Sequence, residues 1–365
     1  MTLKDLSYLR LSNQLIHNSP FSRPLEVVEW MGAIQAQDYA MSKWAIGIRS
    51  NTSTEEVIQS AIDAGQIVRT HVLRPTWHLV SSKNISWMLQ LTAPRIKASM
   101  KSRHKELELD DALLTKCKKI IAKALEGNNH LTRDELMSKL KAAKISTDGQ
   151  RAAHIMFIAE LDRLVCNGKM KGKEHTYALF EERITHSLSY SEEEALARLA
   201  ELYFTSHGPA TIPDFSWWSG LNLTDARKGL EMVKSQFKAI TINEQAHYYS
   251  EKLESKIIQK PSVFLLPAYD EFLISYKDRS ASLAPDHQKK TISNNGIFYP
   301  VIVVNGQVEA LWKRTIKKDK VVIEIKPLPA KENSITLSIQ KAINQAAEHY
   351  KYFLKSVNSI QINYQ

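Results

Sequence analysis

Apolar residues along this chain recur at two spacings. Intervals of three and four predict amphipathic helices, and short alternating runs predict half-buried strands. The order of these runs repeats one plan three times: helix, helix, turn, helix, two-strand hairpin. The middle copy reads most clearly. "DDALLTKCKKIIAKALEG" predicts a helix, and "HLTRDELMSKLKAA" a second, with Thr132 and Glu135 spaced as a capping box. After the turn "KISTDG", the run "QRAAHIMFIAELDRLVCNG" predicts a third helix stopped at Gly168, and "KMKGKEHTYALF" two strands around Gly172. This is the order of a winged helix, a helix-turn-helix followed by a hairpin wing.

The first copy is "LKDLSYLRLSNQLIHN", "PLEVVEWMGAIQ" and "TSTEEVIQSAIDAG", with Ser53 and Glu56 as a capping box and "QIVRTHVLRPTWHLVS" as its wing. The third is "SEEEALARLAELYFTSHG", "PATIPDFSWWSGL" and "NLTDARKGLEMVKSQ", with the wing "FKAITINEQAHYYS" turning at Asn243 and Glu244. The C-terminal part departs from the plan. "PSVFLLPAYDEFLISYKDRS" is apolar with a polar insert at Asp270 and Glu271. Strands follow, with a type I′ turn expected at Asn305-Gly306, and then a closing helix. The fold class expected is α+β, mainly helical: three tandem winged-helix modules with a small C-terminal β-sheet and hairpin element. The segments are 1–95, a basic second module at 96–185, 186–258, and 259–365.

Composition narrows this picture. At 365 residues the chain exceeds one ordinary core, and 43% hydrophobic with 24% charged residues is the balance of a globular protein. No run approaches the ~20 apolar residues of a membrane span. The N-terminus "MTLKDLSYLRLSNQ" carries charges throughout, so no secretory signal is expected. Cys117 and Cys166 match no metal spacing, which predicts small apolar roles on helix faces and a cytoplasmic address. The 12 histidines form no HExxH or HxH pattern, so no metal is expected. Charge points to a partner. The net is +10, and residues 95–174 hold 18 Lys/Arg against 11 Asp/Glu. Winged helices on a basic chain predict DNA binding.

The candidate chemistry lies in "MGAIQAQDYA". If the helix of "PLEVVEWMGAIQ" continues, Gln35 and Gln37 point apart by ~200°. If it ends by Ile34 and "QAQ" is extended, a period of two puts both amides on one side. Spacing alone leaves both outcomes open, and the ordinary one has Gln35 serving a helix end and Gln37 on the surface. A primary amide both accepts and donates hydrogen bonds but does not titrate. It suits holding a water where the leaving group is already good, as when alkylation makes a purine cationic.

Four stretches together resemble the AlkZ/YcaQ-like family of winged-helix bacterial DNA glycosylases: "AIQAQD", "RTHVLRPTWHLVS", "FLLPAYDEFLISYKDR" and "VNGQVEALWKR". The AlkZ branch carries a Gln-aliphatic-Gln catalytic motif, which Gln35, Ala36 and Gln37 match. The resemblance implies three winged helices in a concave arrangement. It also implies a monofunctional glycosylase for N7-alkylated purines, including bulky adducts and interstrand crosslinks, without cofactor or metal. Gln35 and Gln37 would orient the attacking water. Arg69, His71, Arg74 and His78 would meet phosphate or lesion, the two arginines being better suited to phosphate as permanent bidentate charges. The wing lysines Lys169, Lys171 and Lys173 join the expected DNA contacts. The turn Asn305, Gly306 and Gln307 would probe a groove with a polar tip. Asp270, Tyr276 and Arg279 read mainly as a structural junction, with DNA contact by Arg279. Trp77 reads as core.

The expected partner is double-stranded DNA, bound by a monomer in the nucleoid-containing cytoplasm. The alternative is a non-catalytic winged-helix DNA-binding protein or regulator. A hydrolase built on Asp270 and Glu271 ranks last, because adjacent carboxylates point apart.

Overall fold

The computed structural model of the protein describes residues 2–251, 261–328 and 335–365. Compactness divides the chain into two units, Met1–Gln59 with Ala197–Gln365, and Ser60–Leu196. The expected first segment, 1–95, therefore contributes to both. The expected boundary at 258/259 lies outside the described residues.

In the smaller unit the hairpin Ile67–His71 and Trp77–Ser81 is antiparallel, with Arg69 opposite Leu79 and Thr70 opposite His78. A long helix, Ile85–Glu106, runs through position 95/96 with Pro94 inside it. Helices Asp111–Leu125, Arg133–Ala142 and Arg151–Leu161 follow. The first buries Leu114, Cys117, Ile121 and Leu125, spaced by three and four. The second starts on the expected capping box: Thr132 Oγ1 accepts from Glu135 N at 3.2 Å, and Thr132 N donates to Glu135 Oε2 at 2.7 Å.

Two expectations shift here. The third helix ends at Leu161, seven residues before Gly168, because Arg163 takes a left-handed φ of 57°. "VCN" is then a strand, Val165–Asn167. Its partner Thr176–Leu179 also pairs with Leu131–Thr132, making a three-stranded sheet. Cys166 thus sits in a strand and not on a helix face. Its burial pushes the thiol up to about 12, which removes thiolate chemistry at neutral pH.

In the larger unit helices Leu3–Asn13 and Pro24–Met31 form as expected. Helix Glu55–Asp63 begins one residue off the predicted box. Thr54 Oγ1 accepts from Val57 N at 3.5 Å, while the Ser53 hydroxyl donates to Ser22 O at 3.0 Å. A helix over Tyr39–Gly47 is new. Its Trp44 packs edge-on against Tyr350 at 4.9 Å and donates through Nε1 to Leu265 O at 2.7 Å.

The third copy forms helices Glu192–Ser206, Ile212–Ser219 and Leu223–Val233. The hairpin Lys238–Ile242 and Gln245–Tyr249 follows, turned by Asn243 and Glu244 at φ 49° and 63°. A five-stranded sheet completes the unit in the spatial order Ser359–Tyr364, Lys320–Pro327, Gln307–Lys317, Val301–Val304, Val263–Leu266. The first pair is parallel and the others antiparallel. Helix Leu337–Leu354 buries Ile343, Ala347, Tyr350 and Phe353 at helical spacing.

Buried imidazoles give the fold an acid limit. Desolvation holds His207 and His247, both buried, below the ordinary value of 6.5, and does the same for the half-buried His104, His130 and His154. The unfolded chain then binds more protons than the native state between the depressed values and 6.5, so stability rises with pH across that window. It is complete above 6.5 and is lost as pH falls below it. Thermal midpoints are expected to be level from pH 8 to 7 and to drop clearly by pH 5.5. A midpoint flat to pH 5 would show that these rings titrate normally.

Candidate active site

The helix Pro24–Met31 ends before the glutamines, which meets the first part of the condition set by their spacing, while the strand that follows reaches only Gln35. Gly32 is the cause of the helix end. Its φ of 75° is left-handed, so a side chain there would be strained, while a Cβ would only touch Leu202 at 3.4 Å. The chain then runs extended through Ile34–Gln35. It re-enters helix at Tyr39, where the Asp38 carboxylate accepts from Met41 N at 3.0 Å. The motif is therefore a short bridge between a forced helix end and a capped helix start. Ala36 is buried, Gln35 is 4% exposed, and Gln37 is exposed.

A lattice of buried polar side chains holds this bridge. Glu271 Oε1 accepts from Gln35 N at 2.6 Å, and its Oε2 takes the Ser275 hydroxyl, with His207 Nε2 at 3.6 Å. Beside it Arg49 forks onto Asp270, Nη1 to Oδ2 at 2.8 Å and Nη2 to Oδ1 at 2.7 Å, the two side chains being 0% and 1% exposed. Arg49 also donates to Gln14 Oε1 at 3.1 Å. Gln14 Nε2 donates to the Tyr276 hydroxyl at 2.9 Å, which donates onward to His207 O at 2.6 Å. Burial pushes the Tyr276 phenol far up, so it remains a donor. Arg10 lies 3.7 Å over the Tyr276 ring. Asp270 and Glu271 are buried in this lattice, so a hydrolytic pair reaching substrate there is excluded.

Gln37 lines an open cleft of 960 Å³. Tyr39, Tyr269, Phe298, Tyr299 and Trp312 give it aromatic walls. Lys313, Arg314 and Lys326 supply cations, and Asp38 and Glu324 anions. Tyr269 adopts φ 56°, a strained value for an aromatic residue, one position before the buried Asp270. Desolvation raises its phenol, with the Asp38 charge acting in the same direction. The cleft lining does not include Gln35. The structure thus presents Gln37 to solvent and buries Gln35.

The other expected contacts separate into three kinds. Asn305, Gly306 and Gln307 form the expected turn, with φ 49° and 81° at Asn305 and Gly306, but the turn is packed inward. Ser7 donates to Gly306 O, a Cβ on Gly306 would meet Ser7 Oγ at 2.7 Å, Asn305 Oδ1 accepts from Ser262 N at 3.1 Å, and Gln307 Nε2 donates to Ala281 O at 2.7 Å. The turn is thus engaged with its own protein, and Asn305 and Gln307 are half-buried. His78 is fully buried, its Nδ1 2.9 Å from Thr76 O.

Arg69, His71 and Arg74 are half-buried. Arg69 stacks 4.2 Å over Trp77, and His71 bonds through Nδ1 to Glu160 Oε2 at 2.8 Å. Trp77, read as core, is also half-buried and lines a cavity. Arg279, half-buried, donates to Leu273 O at 2.9 Å and lies 5.1 Å over Phe298.

Lys169, Lys171 and Lys173 are exposed around the Gly172 tip, with Lys171 paired to Glu135 at 2.6 Å. Within the expected C-terminal strands, Gln307–Lys317 and Lys320–Pro327 pair as a second hairpin, whose tip the sequence reading does not single out. Its tip exposes Lys317, Lys318 and Asp319 beside Ile316, which is 47% exposed. The run "KKDK" was the available signal. Among the described residues no three His, Cys, Asp or Glu side chains gather as a metal site, and no helix is long and apolar enough to cross a membrane.

Comparison with known proteins places the chain in a family. The model of a family described as DNA glycosylase AlkZ-like matches residues 28–353. The interstrand DNA cross-link repair glycosylase of Streptomyces sahachiroi is 23% identical over 347 residues, covering 91% of this chain and 92% of its own. The solved structure of the Streptomyces sahachiroi DNA glycosylase AlkZ matches at a TM-score of 0.82 with 20% identity, covering 100% of both chains.

Proposed function

Because the chain belongs to the AlkZ-like family of DNA glycosylases, which hydrolyse N-glycosyl bonds, we propose a substrate and a water for it. The substrate class is the N7-alkylated purine in double-stranded DNA, bulky adducts and interstrand crosslinks included. The observation that carries this reading is the exposed Gln37 amide on the wall of a 960 Å³ cleft. Alkylation at N7 leaves the base cationic, so the glycosidic bond breaks with little acid assistance. What remains is to place a water against an oxocarbenium-like sugar, and an amide that accepts and donates does so without titrating.

Gln37 contacts that water, and Gln35 holds the strand that presents it through its backbone bond to Glu271. The breadth of the cleft and its aromatic walls support adducts too large for a closed base pocket. The name of the Streptomyces sahachiroi relative, a cross-link repair glycosylase, points the same way. The three helix-and-hairpin repeats support three tandem winged-helix modules.

Release of N7-methylguanine from methylated duplex under single turnover tests the reading. Rapid release is expected, and none above spontaneous depurination at excess enzyme would overturn it.

The exposed hairpin supplies phosphate contacts. Lys317→Gln combined with Lys318→Asn, asparagine tolerating φ 49° at position 318, is expected to weaken duplex binding. It also makes the slope of log K against log salt shallower by roughly 2. An unchanged slope would remove this hairpin from the interface.

A further inference from the structure

The smaller unit carries a cavity of 400 Å³ that excision at Gln37 leaves unused. Its chemistry is set by one carboxylate. Glu160, on the helix Arg151–Leu161, is 1% exposed. Its Oε2 accepts from His71 N at 3.2 Å and from His71 Nδ1 at 2.8 Å. Its Oε1 is buried and has no hydrogen-bond partner among the described residues. A buried carboxylate oxygen left unmet is costly, and only a donor can meet it.

The walls favour a flat ring. Trp77 lies 3.8 Å from the His71 ring at a tilt of 39°, and Phe157 meets His71 edge-on at 4.6 Å. Arg133 and Tyr177 also line the cavity. Burial pushes the Tyr177 phenol far up, with the Glu160 charge acting in the same direction, so both side chains are donors. An acceptor-only group therefore shares an aromatic slot with two donors.

Among the nucleobases, guanine alone offers two adjacent N–H donors, at N1 and N2, next to a carbonyl acceptor at O6. We propose that this cavity binds a guanine ring between its aromatic walls, with its N1–H and N2–H edge meeting the unmatched Oε1 of Glu160 and O6 toward Arg133 and Tyr177. The ring is that of a free nucleoside or of an unstacked guanine in a DNA strand. The proposal does not rest on the excision reading.

The full chain is titrated calorimetrically with guanosine, inosine and adenosine, and by competition with duplexes holding one unpaired guanine or one unpaired adenine. Inosine lacks only the N2 amine. Guanosine is expected to bind about tenfold tighter than inosine, because one charge-assisted hydrogen bond is lost. Adenosine is expected to be weaker still, and Glu160→Gln to remove the preference.

Selective guanosine binding assigns a nucleoside site. A preference for unpaired guanine in duplex, without nucleoside binding, assigns a strand site. Equal binding of the three nucleosides with no preference between the duplexes overturns the proposal, as does absence of binding in both arms. The wild-type comparisons decide the matter even where Glu160→Gln fails to fold.

Discussion

Gln37→Ala is expected to lower the single-turnover rate of N7-methylguanine release roughly 100- to 1000-fold while leaving duplex affinity within twofold. The magnitude is that of removing one preorganised polar group from a site where charge develops. The exposed side chain makes the test clean, since its loss opens no cavity and leaves Gly32, Asp38 and the Glu271 bond to Gln35 in place. Gln37→Glu keeps the acceptor, removes the donor and adds a charge, so it should retain part of the rate. Gln35→Ala is a different experiment: Gln35 is buried, and its loss is expected to reduce stability as well as rate. A Gln37→Ala enzyme within threefold of wild type, on the same methylated duplex, would move the water elsewhere in the cleft.

Local rules carried the sequence reading where the relevant partners were near in the chain. The Thr132 to Glu135 box and the turns at Asn243 and at Asn305-Gly306 form as spacing predicts, because each is a matter of backbone geometry over a few residues. The surroundings of those elements were not legible. Nothing local to "VNGQV" says that its tip packs on Ser7, which lies 299 residues away from Gly306. The helix Tyr39–Gly47 was hidden because Asp38 reads as part of a polar loop until it is seen capping Met41 N.

The candidate site divides the same way. "QAQ" marks the place, and its spacing makes the pair depend on a helix end. The forced end at Gly32 and the support from Glu271, 236 residues away from Gln35, are tertiary facts. The unequal exposure of the two glutamines follows from that support, since the buried carboxylate draws the Gln35 backbone inward while Gln37 stays at the cleft wall.

That dependence makes the second large effect a stability effect. Arg49→Leu is expected to cost ~3–5 kcal/mol, read as a lower urea midpoint at unchanged slope. The fork of Arg49 supplies both ion-pair contacts to Asp270, and removing it leaves a carboxylate buried in a site closed to water. Gln14 Oε1 and Ala45 O lose donors in the same change. Arg49→Leu with Asp270→Asn should recover much of the loss, because the uncompensated charge is gone even though the fork is not restored. An Arg49→Leu midpoint equal to wild type would show that the lattice does not hold the fold. The consequence reaches the chemistry through two bonds. Asp270 Oδ1 caps Phe272 N at 2.9 Å at the start of the helix Glu271–Ile274, and the first residue of that helix holds Gln35 N. Protein that stays folded with Arg49→Leu should therefore excise more slowly with its duplex affinity intact.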